Sequence, residues 1–131
     1  MELRKLNWHT WLKQGDDYRK AASPKTTNRF GTDIRYNLIS MALESYIMAI
    51  MDFHKTMPEN HTFLDLVSGL ESVMPVDDVL KRRILQYESI QSICSIDKYY
   101  RTNPTEEEII DLTGAIDEIS VIAHKTCVAA A

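Results

Sequence analysis

Glu44 stands inside the most apolar stretch of the chain, between Met41-Ala42-Leu43 and Tyr46-Ile47-Met48. A carboxylate there loses its hydration unless it meets a cation or a hydroxyl, so its presence implies either an ion pair or a ligand-lining position. Arg82 or Arg83, on a facing helix, is the expected partner. Polar and aromatic side chains on mostly apolar faces are the groups that orient ligands in grooves between helices. By that criterion Tyr36, Asn37, Glu44, Arg83, Tyr87, Tyr99 and Arg101 form the candidate ligand-binding set.

Catalytic chemistry is harder to find. His54 and His61 flank one turn, His9 follows Trp8, and His124 falls off the main apolar stripe of the last helix. Histidine acts in catalysis or metal binding through a positioned partner, and no pairing is visible at these spacings, so surface or hydrogen-bonded structural roles are expected. The four glycines, Gly15, Gly31, Gly69 and Gly114, are isolated, which excludes a P-loop, a dinucleotide fingerprint and a nucleophile elbow. No glutamate is followed three residues later by histidine, so a carboxylate-bridged di-metal bundle is also excluded. No catalytic residue, metal or cofactor is assigned from the sequence.

The elements that must position these side chains are helical. Trp8, Trp11, Leu12, Tyr18 and Ala22 share one side of a helix over about 7–22 that Ser23-Pro24 terminates. A polar connector, Pro24 to Gly31, leads to Asp33, the expected N-cap of a helix reaching His54 or Lys55. Apolar residues cover nearly every face of this second helix, which makes it the spine of the core. A short helix over about 62–72 starts at Thr62, with Asp65 three residues on. Pro75, Asp77 and Asp78 open a fourth helix expected to run to about Ile96, with Leu80, Ile84, Tyr87 and Cys94 on one stripe. Thr105-Glu106-Glu107-Glu108 is a capping box for the last helix, whose stripe is Ile109, Leu112, Ile116, Ile119, Ala123 and Cys127. The expectation is all-α: one domain over 1–131, an antiparallel bundle of four long helices and one short one.

Composition bounds the partners. Residues 1–35 hold eight Lys or Arg against four Asp or Glu, and residues 36–131 hold seven against fifteen, so a basic beginning precedes an acidic body. An acidic body disfavours broad contact with a phosphate backbone, and DNA is not an expected partner. No run of eighteen apolar residues exists, so no membrane span is expected, and two cysteines without metal spacing suit buried thiols in the cytoplasm.

Taken in order, four stretches resemble the HEPN superfamily of small helical domains. Trp11 to Ala22 is similar to the family's first helix and Tyr36 to Tyr46 to its second, with the acidic Glu44 in place. His61 to Leu66 is similar to its short helix, and Tyr99 to Glu108 to its connector and capped final helix. The resemblance implies an antiparallel helical bundle, commonly a homodimer, nucleotide binding, and association with a minimal nucleotidyltransferase in toxin–antitoxin pairs. Many members are ribonucleases with an Arg followed by His after four to six residues. Here the one matching spacing, Arg4 to His9, lies ahead of the first helix, a place foreign to the family's motif, and Glu88 and Ser89 stand where the helix of Arg82 and Arg83 would need a histidine.

The resulting expectation is a non-catalytic, dimeric HEPN-like module that binds a partner protein or a nucleotide-like ligand such as nucleotide or RNA. The alternatives are a divergent HEPN ribonuclease toxin and a helical interaction protein unrelated to HEPN.

Overall fold

The computed structural model describes residues 7–23, 31–58, 60, 62–87 and 104–128, and these form five helices with no strand among them. Helix α1 spans Trp8–Ala22, α2 Thr32–Phe53, α3 Phe63–Glu71, α4 Asp78–Leu85 and α5 Glu106–Cys127.

Local chemistry sets most of the ends. Asn7 caps α1 by accepting the Thr10 N–H at 3.1 Å, and Ser23 leaves the helix in an extended conformation ahead of Pro24. Thr62 caps α3 and Asp77 caps α4, each accepting backbone N–H groups of the first turn. At α5 the expected reciprocal box is formed: Glu108 N–H donates to the Thr105 hydroxyl, and Thr105 N–H donates to the Glu108 carboxylate. Two expectations are corrected. The cap of α2 is Gly31 rather than Asp33, which lies in the first turn where its charge complements the helix dipole. Helix α4 ends at Leu85 instead of about Ile96, with Gln86 and Tyr87 in a turn; Cys94 and the remainder of the expected helix lie outside the described residues. Among the described residues the helices are therefore three long and two short.

Helix α2 is the spine. Ile39, Leu43, Tyr46, Ile47, Met48, Ile50 and Met51 are all fully buried, each worth about 1.5–3 kcal/mol of transfer free energy if buried from water. Its first half is not enclosed on every side, however: Ile34 and Met41 remain 45% and 44% exposed, and Asn37 between them is exposed. Helix α1 runs antiparallel to α2, with Trp8 edge-on to Phe53 and Gly15 packed against the Tyr46 ring. Helix α5 runs parallel to α2. Arg35 near the start of α2 pairs with Glu106 at the start of α5 at 2.8 Å, and the Cys127 thiol at the end of α5 donates to the Ala49 carbonyl at 3.6 Å. The chain returns through α3, which packs Phe63 toward Tyr36 and Gly69 against Met51, and α4, which lies antiparallel on α5. The bundle is thus antiparallel for α1 against both of its long neighbours but parallel across α2 and α5.

No described helix is long and apolar enough to cross a membrane.

Candidate functional site

Where α1, α2 and α5 meet, four side chains form one hydrogen-bonded group. The Tyr46 hydroxyl donates to Asp16 Oδ1 at 2.5 Å, and Arg19 Nε donates to the same hydroxyl at 3.1 Å. His124 Nε2 lies 3.0 Å and 3.1 Å from the two Asp16 oxygens. Arg19 continues to Asp117 at 3.1 Å, so α1 is fastened to α5 at two points one helical turn apart on α1.

An ionised carboxylate only accepts, which fixes the proton of His124 on Nε2. Burial pushes the Asp16 carboxyl upward, but hydrogen bonds from His124 and Tyr46 and the charges of His124 and Arg19 outweigh it and hold it below its usual range. The Tyr46 hydroxyl is pushed up to about 12, first by burial and then by donating to Asp16. The result is an anionic carboxylate, a neutral phenol and an imidazole of fixed orientation, 43% exposed at its side chain. A carboxylate-oriented imidazole open to solvent is able to exchange a proton with a bound group.

Beside this cluster, Trp8, His9, Leu12, Lys13, Asp16 and Val128 line a groove of about 370 Å³. The Trp8 and His9 rings stack with centroids 3.5 Å apart, and Lys13 is paired with Asp17 at 2.9 Å.

The sequence-derived ligand set is only partly assembled elsewhere. Tyr36 is buried, and its hydroxyl donates to the Tyr87 carbonyl at 3.1 Å; the Tyr87 hydroxyl donates to Asp111 at 2.6 Å. Arg83 donates from Nε to Asp111 at 3.2 Å, reaches the Asp111 carbonyl at 3.0 Å and pairs with Glu118, lying over Gly114. Arg83 and Tyr87 thus share Asp111, and Tyr36 joins them through the Tyr87 carbonyl, with the Tyr87 phenol pushed upward by burial and by the Asp111 carboxylate. Asn37 is exposed and Glu44 half-buried on α2, while Tyr99 and Arg101 lie outside the described residues. The expected Glu44 partner is not supplied as foreseen: Arg83 turns to α5, and Arg82 donates to the Asp78 carbonyl at 3.4 Å.

Comparison of the chain with protein-family models, curated proteins and solved structures returns no match.

His124 is the functional candidate that spacing could not find. Its partner lies 108 positions earlier, on an antiparallel helix, and no local pattern encodes that meeting. Among the described residues no three His, Cys, Asp or Glu side chains converge as metal ligands.

Proposed function

We infer that this chain is a non-catalytic, HEPN-like helical module that works by binding a partner protein. The observation that carries the reading is the state of five cations among the described residues. Lys13 faces Asp17, Arg19 faces Asp117, Arg35 faces Glu106, Lys81 faces Glu71, and Arg83 faces Asp111 and Glu118. A phosphate would have to displace a carboxylate at each of these five positions and then meet an acidic body, so nucleotide and RNA are weaker candidates than protein.

The homodimer that the HEPN resemblance implies is supported by Ile34 and Met41, two exposed apolar side chains seven residues apart on one face of α2. A minimal nucleotidyltransferase, as in toxin–antitoxin pairs, is the heterologous partner the same resemblance implies.

One observation favours the divergent ribonuclease instead. His124 is held by Asp16 with Arg19 in the same network, a placement that puts a proton-transfer group near a cation.

A thermal-shift screen with nucleotides and short RNAs separates these readings, because a ligand that binds only the folded state raises the melting midpoint by mass action. The partner-protein reading predicts no shift with any of them. A rise of several degrees with one nucleotide class, lost in Arg83→Ala or Glu44→Ala proteins that still fold, would restore the nucleotide-binding reading.

A further inference from the structure

Trp8, Leu12 and Asp16 follow one another at intervals of four along α1, so their side chains form one ridge. About 12 Å of helix, at about 1.5 Å per residue, separates the aromatic end of the ridge from its carboxylate end. Val128, the C-cap of α5, faces this ridge, and together they line the groove of about 370 Å³. That volume is in the range of small-molecule sites.

The two ends differ in chemistry. At one end the half-buried Trp8 indole stacks with His9 at 3.5 Å, beside a floor of Leu12 and Val128. At the other stands Asp16, whose side chain is 25% exposed and so within reach of a ligand. Its Oδ1 accepts from Tyr46 at 2.5 Å and from His124 at 3.0 Å, whereas among the described residues Oδ2 accepts from His124 alone, at 3.1 Å. A carboxylate has about four acceptor positions, two on each oxygen, so Oδ2 keeps one for a further donor.

The charge of Asp16 decides what that donor is. The Tyr46 hydroxyl that faces it is neutral, and the cations three residues away on either side are engaged elsewhere. Lys13 pairs with Asp17 at 2.9 Å, and Arg19 donates to the Tyr46 hydroxyl and pairs with Asp117 at 3.1 Å. An anion would meet the carboxylate head-on, and a neutral donor would leave its charge unmatched. An ammonium supplies both a proton and the opposite charge, and such a charge-assisted hydrogen bond is about twice as strong as a neutral one. From Asp16, a stem of about four methylenes carries the other end of the ligand over Leu12 to Trp8, where an aromatic ring finds an indole to pack against.

We propose that the groove between α1 and the end of α5 binds a small arylalkylamine, with its ammonium on Asp16 Oδ2 and its ring beside Trp8. The assignment is independent of the partner-protein reading.

The test uses the full isotope-labelled chain and the indole N–H signals of its two tryptophans, Trp8 and Trp11, which Trp8→Phe tells apart. Titrations are run at about pH 8, where imidazoles in general are uncharged and alkylammonium groups are not. The probes share one four-methylene stem: phenylbutylamine, phenylbutanol, phenylpentanoate, and acetyl-lysine methylamide, which carries the same ammonium on an amide head. Phenylbutylamine is expected to move the Trp8 signal and to bind roughly tenfold tighter or more than each of the others. Asp16→Asn, and Val128→Lys, which sets a cation on the groove wall at an exposed position, should each weaken the amine roughly tenfold or more. Val79→Lys, the same change at an exposed position of α4 outside the groove, is expected to bind as wild type. Circular dichroism checks the fold of each variant, and if Asp16→Asn unfolds, Val128→Lys decides alone.

Equal affinity for the amine and the alcohol, or a Trp8 signal that no amine moves, overturns the proposal. So does amine binding that survives Val128→Lys. Acetyl-lysine methylamide binding as tightly as phenylbutylamine overturns it as well, and makes a protein's lysine the occupant.

Discussion

His124 and Asp16 meet at 3.0 Å from opposite ends of the chain, and Tyr46 completes the contact from the central helix by donating to the same carboxylate. One acceptor on α1 therefore serves donors on both α2 and α5. Removing the acceptor and removing a donor are unequal events. Asp16→Ala leaves the buried Tyr46 hydroxyl with its proton undirected and frees His124, and a loss of about 1–3 kcal/mol is expected. His124→Ala removes a partner whose side chain is 43% exposed, and about 0–1 kcal/mol is expected. Urea unfolding of both variants checks the order.

The same cluster shapes the pH dependence of stability. The Asp16 carboxyl is held below its reference value of 3.8, so the unfolded chain takes up a proton first as pH falls. Its contribution is present above that value and is lost as pH drops through the lower folded one. The Tyr46 phenol, raised from 10.0 to about 12, acts at the other limb: its contribution is present below pH 10 and disappears as pH rises toward 12. Asp16→Asn should flatten the acid limb and Tyr46→Phe the alkaline limb of a stability–pH profile.

Two glycines that look alike in sequence should respond oppositely to alanine. A Cβ at Gly15 would lie 2.7 Å from Cε1 of Tyr46, a ring with no exposed surface and no room to retreat. Overpacking of about 1–3 kcal/mol should outweigh the gain of roughly 1 kcal/mol in helix propensity, leaving Gly15→Ala neutral to destabilised and its α1 packing disturbed. At Gly69 the nearest atoms are the Cε and Sδ of Met51, the far end of a flexible side chain. Gly69→Ala should therefore be neutral or stabilising by up to about 1 kcal/mol. Paired thermal melts compare them directly.

Arg35 tests the asymmetry of buried charge. Its guanidinium is 4% exposed at the side chain, its Nε is without a hydrogen-bond partner, and its ion pair is to Glu106, 65% exposed. Glu106→Ala leaves that charge uncompensated and should cost about 1–3 kcal/mol. Arg35→Met, which removes the charge itself, should be close to neutral. Denaturation midpoints of the two variants give the comparison.

The long elements were legible because their signals are local. The Thr105 to Glu108 box, the Ser23-Pro24 stop and the apolar density of α2 each act within a few residues, and α1, α2 and α5 lie where those signals put them. Periodicity carries α4 too far because Tyr87 continues the stripe of Leu80 and Ile84, while the chain turns at Gln86 and Tyr87. Tyr87 reaches Asp111 from that turn, a contact periodicity does not register. The candidate site was less visible still. Glu44 is a charge in an apolar helix, but α2 has an exposed edge at Ile34, Asn37 and Met41, and Glu44 is only half-buried. Asp16 and His124 each look ordinary in their own helices, and only the antiparallel packing of α1 on α5 gives them a joint role.

The most direct test of the central claim, that this module binds a protein and performs no RNA chemistry, is a cleavage assay of the full chain. Wild-type and His124→Ala proteins are incubated with single-stranded RNA. The account predicts intact RNA with both. Cleavage by the wild type that disappears in His124→Ala, with the fold retained, would contradict it and make the Asp16–His124 pair an active site.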